Sequence, residues 1–253
     1  PVLVTGATGH TGSRLVTALC EGGAAVRILT REPSRLALPL RRRVEVVRGD
    51  LNNTETAQRA VRGARAVIAV THIKFAPKIL DAMHYEGVRR GIFMSSTRRY
   101  TKFVEETARQ VIAGEAAVEA SGLDWTIIRP TMIYGGKQDR NLQPLMEQLR
   151  SLPVFPLPAG GRMLWQPVFT WDVVAALMAA LERPETAGKS YTVAGPEPIT
   201  YRQMLATIIR QAGLRTRLVP VPLGPLGPLV RFYEKSSKSP RIRHDQILRL
   251  QEN

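Results

Sequence analysis

Apolar positions alternate between two patterns along the first 130 residues: short unbroken runs, then stretches at helical spacing. Val2-Leu3-Val4 is a run of the kind a buried parallel strand shows. Leu15, Val16 and Leu19 recur at helical spacing, and Gly22-Gly23 stops that helix. Apolar runs at 25–29, 44–47, 67–70, 92–94 and 125–128 predict further strands. Segments 54–62, 75–86 and 103–120 predict the helices between them. Strands alternating with helices imply right-handed βαβ units, hence a doubly wound α/β fold on a parallel sheet. In such folds ligands bind beyond the carboxyl ends of the strands.

After residue 130 the pattern loosens. Helices are expected at 141–149, from Thr170-Trp171-Asp172 as cap through Leu181, from Thr200 as N-cap to Gln211, and at 243–251. Strands are expected at 191–193 and 217–221. Residues 1–133 therefore read as a dinucleotide-binding domain. Residues 134–253 read as a smaller α/β region, partly interleaved with it, that covers a substrate.

Composition adds exclusions. With 253 residues, 44% apolar and 23% charged, the chain has ordinary globular values, which argue against disorder or coiled coil. No apolar run approaches the ~20 residues of a membrane helix, and the chain enters a strand pattern at once, so neither a spanning segment nor a leader is expected. Cys20 is the single cysteine. That excludes intramolecular disulfides and cysteine-rich zinc sites and fits a reducing cytoplasm. The four histidines, His10, His72, His84 and His244, show no zinc spacing, and no metal is expected. Lysine and arginine exceed aspartate and glutamate by 36 to 21, a balance of +15. The excess divides almost evenly, 20 against 12 before residue 131 and 16 against 9 after it. It reads as a basic solvated surface; nucleic-acid binding would rest on charge alone. Leu218 to Val230 leads into Arg231, Lys235, Lys238, Arg241 and Arg243, a sequence compatible with a packed end segment, a membrane surface or a protein partner.

The chemistry begins in the first turn. Thr5 to Gly12, Thr-Gly-Ala-Thr-Gly-His-Thr-Gly, joins a strand to a helix with Gly6, Gly9 and Gly12 at G-x-x-G-x-x-G spacing. The first glycine permits the tight turn, the second a close approach of backbone to a diphosphate, the third helix–strand packing. With Thr8, His10 and Thr11 this turn is a candidate dinucleotide cradle at a helix N-terminus. The second strand ends in Thr30-Arg31 where an acidic residue would hold the ribose of NAD. Arg31, assisted by Arg35, suits a 2′-phosphate, so NADP(H) is expected over NAD(H).

These residues, with Gly49-Asp50-Leu51, Ser95-Ser96, Arg129 to Gly135, Gln166-Pro167-Val168 and Trp171-Asp172-Val173, resemble an extended or atypical short-chain dehydrogenase/reductase, which has a Rossmann-type fold. Within it the chain is most similar to the NAD-dependent epimerase/dehydratase and NmrA-like branch, which includes an NADPH-holding accessory subunit of complex I. The resemblance implies that Asp50 binds the adenine amino group and Leu51 lies on the ring. It implies that Val70 and Thr71 line the adenosine side, and that Pro130 and Ile133, near Ser95, flank the nicotinamide.

One departure bears on catalysis. Members acting on alcohols use Tyr-x-x-x-Lys on the long helix after strand five, where lysine lowers the tyrosine pKa. No tyrosine here has a lysine four residues on. Alignment puts Val111 and Glu115 at those positions. Ser96, Tyr100 with Lys102, and Tyr134 with Lys137 remain as catalytic candidates, with His72 at the end of strand four. Trp125 reads as core, and Trp165 and Trp171 as a possible aromatic wall. Two functions stay open: an NADP(H)-dependent oxidoreductase on a small carbonyl, quinone or other unsaturated compound, or a non-catalytic NADP(H)-binding redox sensor or assembly subunit.

Overall fold

The buried run Val2–Thr5 forms β1, an interior strand of a seven-stranded sheet whose neighbours are parallel. A computed structural model describes residues 1–222 apart from Phe103 and Lys137. The proline-rich and basic stretch beyond Pro222 and the helix expected at 243–251 lie outside the described residues.

The chain alternates as its apolar pattern requires. After β1 come α1 (His10–Glu21), β2 (Val26–Thr30), the short α2 (Leu38–Arg41), β3 (Glu45–Arg48), α3 (Thr54–Val61) and β4 (Ala66–Ala69). Then follow α4 (Ala76–Tyr85), β5 (Arg90–Met94), α5 (Glu106–Glu119) and β6 (Asp124–Pro130). The second half holds β7 (Ile133–Tyr134), α6 (Leu142–Ser151), β8 (Val154–Pro158), β9 (Leu164–Trp165), β10 (Val168–Phe169) and α7 (Thr170–Glu182). It ends with β11 (Lys189–Val193), β12 (Ile199–Thr200), α8 (Tyr201–Gln211) and β13 (Arg217–Val221). The sheet order is β11-β6-β5-β4-β1-β2-β3, a Rossmann-like α/β arrangement.

Side-chain alternation places a core on each face of the sheet. Leu3, Val67, Phe93 and Ile127 pack with α3, α4 and α5 on one face. Val2, Val4, Ile68, Ile92 and Ile128 pack with α1 and α7 on the other. Leu149, Phe155, Leu157 and Leu205 make a third, smaller core between α6, β8 and α8. Three parallel or antiparallel ribbons, β7/β10, β8/β13 and β9/β12, build this second half, while β11 returns to the main sheet beside β6.

Two caps differ in outcome. Thr200 caps α8 as expected, its side chain accepting from the Gln203 N–H while Gln203 accepts from the Thr200 N–H, a reciprocal capping box. Thr170 does not cap α7. The helix begins one residue earlier than a Thr170 cap allows, with Phe169 as N-cap, and Thr170 Oγ1 is buried without a hydrogen-bond partner among the described residues. Asp172 sits in the first turn, where its charge favours the helix dipole. Among the described residues, no helix is long and apolar enough to cross a membrane.

Candidate functional site

The glycine turn closes β1 onto α1. Gly6 has φ +74°, and a Cβ there would lie 2.9 Å from the Thr71 backbone nitrogen. A Cβ at Gly12 would lie 2.1 Å from the Gly6 carbonyl oxygen, so the first turn of α1 sits directly on the loop. Gly9 is the N-cap and donates its N–H to Gly6 O at 3.0 Å. No side chain caps α1 and no acid occupies its first turn, whereas Asn53 caps α3 and Thr200 caps α8. The first N–H groups of α1 and its positive dipole end therefore lie uncapped at the carboxyl edge of β1, a fit for a diphosphate.

His10 opens the helix half-buried. Its Nδ1 lies 3.3 Å from Arg14 Nη1, and its Nε2 is buried with no hydrogen-bond partner among the described residues. Burial first, then the Arg14 charge, push its pKa below the ordinary histidine value, against a smaller opposing pull from Asp139. Thr11 is buried beside it.

On the β2–β3 side a cavity of about 190 Å³ is lined by Thr8, Thr30, Arg31, Asp50, Leu51 and Thr71 among others. Asp50 Oδ1 accepts the Asn52 N–H at 2.8 Å. Its Oδ2 lies 3.5 Å from Arg31 Nη1. Arg31 is 77% exposed and free to reach a further anion. Thr71 Oγ1 is 3.0 Å from Thr5 Oγ1, and the Val70 backbone underlies Gly6. Arg35 does not line this cavity. It lies 4.0 Å from Glu32 and lines a separate space beside α1 with Arg14, Arg41 and Trp171.

On the β5–β6 side a cavity of about 940 Å³ opens over the strand ends. Met94 to Thr97 and Pro130 to Ile133 floor it, so Ser95, Ser96, Pro130 and Ile133 all face it. The second half walls it through α6, β8, β9 and α8. Trp165 stands in that wall, its ring 5.8 Å from Tyr201, whose phenol is pushed up in pKa by burial. Ser96 Oγ accepts the Arg98 N–H at 3.2 Å.

Behind the floor lies a buried charge cluster. Glu115 of α5 is fully buried, and both its oxygens accept from Arg129 at 2.7–3.0 Å. Arg99 Nε lies 3.0 Å from Glu115 Oε2, and Ser95 Oγ donates to Oε1 at 2.5 Å. Arg129 also donates to Tyr100 Oη at 3.2 Å and to Ser190 Oγ at 2.7 Å. Bonding to Glu115 holds the Arg129 pKa above the ordinary arginine value, although burial opposes it. The packing of α5 that brings Glu115 inward depends on Gly114, where a Cβ would lie 2.5 Å from Ile73 O.

A family model described as NAD(P)H-binding matches residues 6–150. The chain belongs to the NAD(P)H-binding family. It is 33% identical over 216 residues, 84% of this chain and 74% of the relative, to the (4-alkanoyl-5-oxo-2,5-dihydrofuran-3-yl)methyl phosphate reductase of Streptomyces griseus. It is 25% identical over 228 residues, 88% of this chain and 77% of the relative, to the NAD(P)H azoreductase of Xenophilus azovorans. A short-chain dehydrogenase/reductase superfamily protein from Agrobacterium tumefaciens, solved with bound NAD, shares the fold. The two superpose with a TM-score of 0.73 at 22% identity, over 87% of this chain and 85% of that one. The fold expected from the resemblance to the short-chain dehydrogenase/reductases is therefore the fold observed.

Within this NAD(P)H-binding fold the catalytic candidates separate. Ser96 lines the larger cavity. Tyr100 and Tyr134 do not: Tyr100 lies over the Arg129 guanidinium, 5.7 Å from its ring centroid, and Tyr134 packs on Phe169 at 5.7 Å. Lys137 lies outside the described residues, and Lys102 does not line the larger cavity. His72 caps the turn Ile73–Phe75, its Nδ1 accepting the Lys74 N–H. Burial, then Lys74 and Arg98, lower its pKa. Trp171, in the first turn of α7, lines the space beside Ser13, Arg14 and Thr17 of α1 and does not line the larger cavity. Trp125 is partly buried against the core. Sequence reasoning missed the Glu115–Arg129–Arg99 cluster. Its available signal was an arginine at the carboxyl end of β6, directly after the apolar pair Ile127-Ile128.

Proposed function

We propose that this NAD(P)H-binding protein is an NADP(H)-dependent reductase of a small carbonyl, quinone or other unsaturated compound. The observation that carries the reading is the order of sites across the strand ends. The Arg31–Asp50 cavity, the uncapped start of α1 and the Ser95–Ser96 floor follow the sheet order from β2 through β1 and β4 to β5. An extended dinucleotide needs an adenosine pocket, a diphosphate cradle and a reaction pocket in that sequence.

In this reading the Gly6–Gly12 turn, with Thr8, His10 and Thr11, holds the diphosphate through backbone N–H groups. Asp50 takes the adenine amino group, Leu51 supports the ring, and Val70 and Thr71 line the adenosine side. Arg31 pairs with the 2′-phosphate. Ser95, Pro130 and Ile133 flank the other end. The bound nicotinamide supplies a hydride to the acceptor. Ser95 spends its proton on Glu115, so it offers the cavity an acceptor. Ser96 already accepts from the Arg98 backbone, so its own O–H is free to donate to a substrate oxygen. Both named relatives above are reductases, which supports the reaction class. The setting is a reducing cytoplasm; Cys20 is buried and its thiol is pushed up in pKa by that burial, away from reactivity.

The test is parallel titration calorimetry with NADPH, NADH, NADP⁺ and NAD⁺, repeated with Arg31→Asp. The wild type is expected to prefer the 2′-phosphorylated pair by about tenfold or more, and the variant to lose that preference. No binding of any of the four defeats the reading. The alternative, a redox sensor or assembly subunit, draws on Val111 and Glu115 at the positions of the usual proton-transfer pair. NADPH binding without consumption across a quinone and carbonyl panel favours it.

A further inference from the structure

The charge around the larger cavity is one-sided. Arg98 and Arg140 line it, and no aspartate or glutamate does among the described residues. The acids nearest in sequence are already committed. Glu105 holds Arg98 at 2.5 Å. Buried Asp139 accepts the backbone N–H groups of Gly135, Asn141 and Leu142. Asn141 and Gln166, the amides at the same rim and wall, are bound to the carbonyls of Ile133 and Gly195. That leaves Arg140, exposed in the loop before α6, with no carboxylate at ion-pair distance among the described residues. The same cavity is also lined by the apolar side chains of Phe155, Leu164, Trp165 and Met204.

A cation without a protein anion, beside an apolar wall, is the recognition chemistry of an amphipathic anion. We propose that the substrate carries a carboxylate or phosphate that Arg140 binds, with its apolar part against Trp165 and Leu164. This rests on the reductase reading for the word substrate, but the binding site itself does not depend on turnover. The positive field of the molecule as a whole favours delivery of such a ligand.

The test uses 4-phenylbutanoate, 4-phenylbutyl phosphate and 4-phenylbutan-1-ol as probes. Their binding is measured by calorimetry with and without saturating NADP⁺, on wild type, Arg140→Ala and Arg140→Lys. At least one anion is expected to bind about tenfold or more tighter than the alcohol, with that advantage falling as salt rises. Arg140→Ala is expected to remove the advantage, Arg140→Lys to keep part of it, and both to leave NADPH affinity and alcohol binding within about twofold. The carboxylate and phosphate arms say which headgroup is meant. Equal binding of all three probes overturns the proposal, as does an unchanged anion affinity in Arg140→Ala. If no dinucleotide binds, the reductase reading fails, and the anion titrations without NADP⁺ still decide the site.

Discussion

Glu115 shows how far a single side chain departs from what its position suggests. Read along the chain it is an acid where the resemblance to the short-chain dehydrogenase/reductases implies a lysine, and the inference is a missing cation. In the fold it is a fully buried carboxylate shared by two guanidiniums. Arg129 comes from the far end of β6 and Arg99 from the turn after β5, a convergence that no spacing in the sequence announces. Removing the acid leaves the Arg129 guanidinium, 7% exposed, with only the more exposed Glu119 at 3.6 Å as a carboxylate partner among the described residues. Glu115→Ala is therefore expected to lower unfolding stability by about 3–5 kcal/mol in urea titration, with Glu115→Gln less damaging. A loss below about 1 kcal/mol would show that the cluster contributes little. The glycines are the opposite case. Gly6 and Gly12 were legible at once because a positive φ and a backbone-to-backbone approach admit no other residue, and both conditions are met.

At the level of elements, legibility followed length. Every main-sheet strand and each helix of eight or more residues showed in the apolar pattern, with ends displaced by a residue or a few. The two-residue strands β7, β9, β10 and β12 carry no periodicity, and β8 is broken by prolines, so of the walls of the larger cavity only the helices α6 and α8 were legible. Helix α1 has a consequence of its own. Its first residue, His10, is held neutral by burial and by Arg14. The unfolded chain thus takes up a proton near the ordinary value of about 6.5 that the fold resists until lower pH. The stability contributed is complete above that value and is lost as pH falls from it through the lower value of the folded chain; His72, lowered likewise, acts in the same direction. Melting temperature is expected to drop between about pH 7.5 and about pH 5.5, and to drop less in His10→Asn. An identical slope in the variant would exclude His10 as a source.

For the whole molecule, the cofactor side and the substrate side differ in how the sequence encodes them. The first follows from one contiguous pattern, strand by strand. The second depends on segments far apart meeting over β5 and β6, as when Thr131 donates to Gln166 O or Leu164 pairs with Thr200. The sheet's last strand makes the two inseparable. β11 runs parallel to β6 in the register Lys189↔Thr126 to Val193↔Pro130, although more than fifty residues of pocket wall lie between them in the chain. A protease that cuts at Arg140, in the loop before α6, breaks one covalent connection and none of the ladder. The two pieces are expected to co-elute on size-exclusion chromatography and to part only in denaturant; separation in plain buffer would contradict the sheet order. A polypeptide wound this way can be nicked without being divided, and its halves, made as separate chains, are candidates to reconstitute the whole.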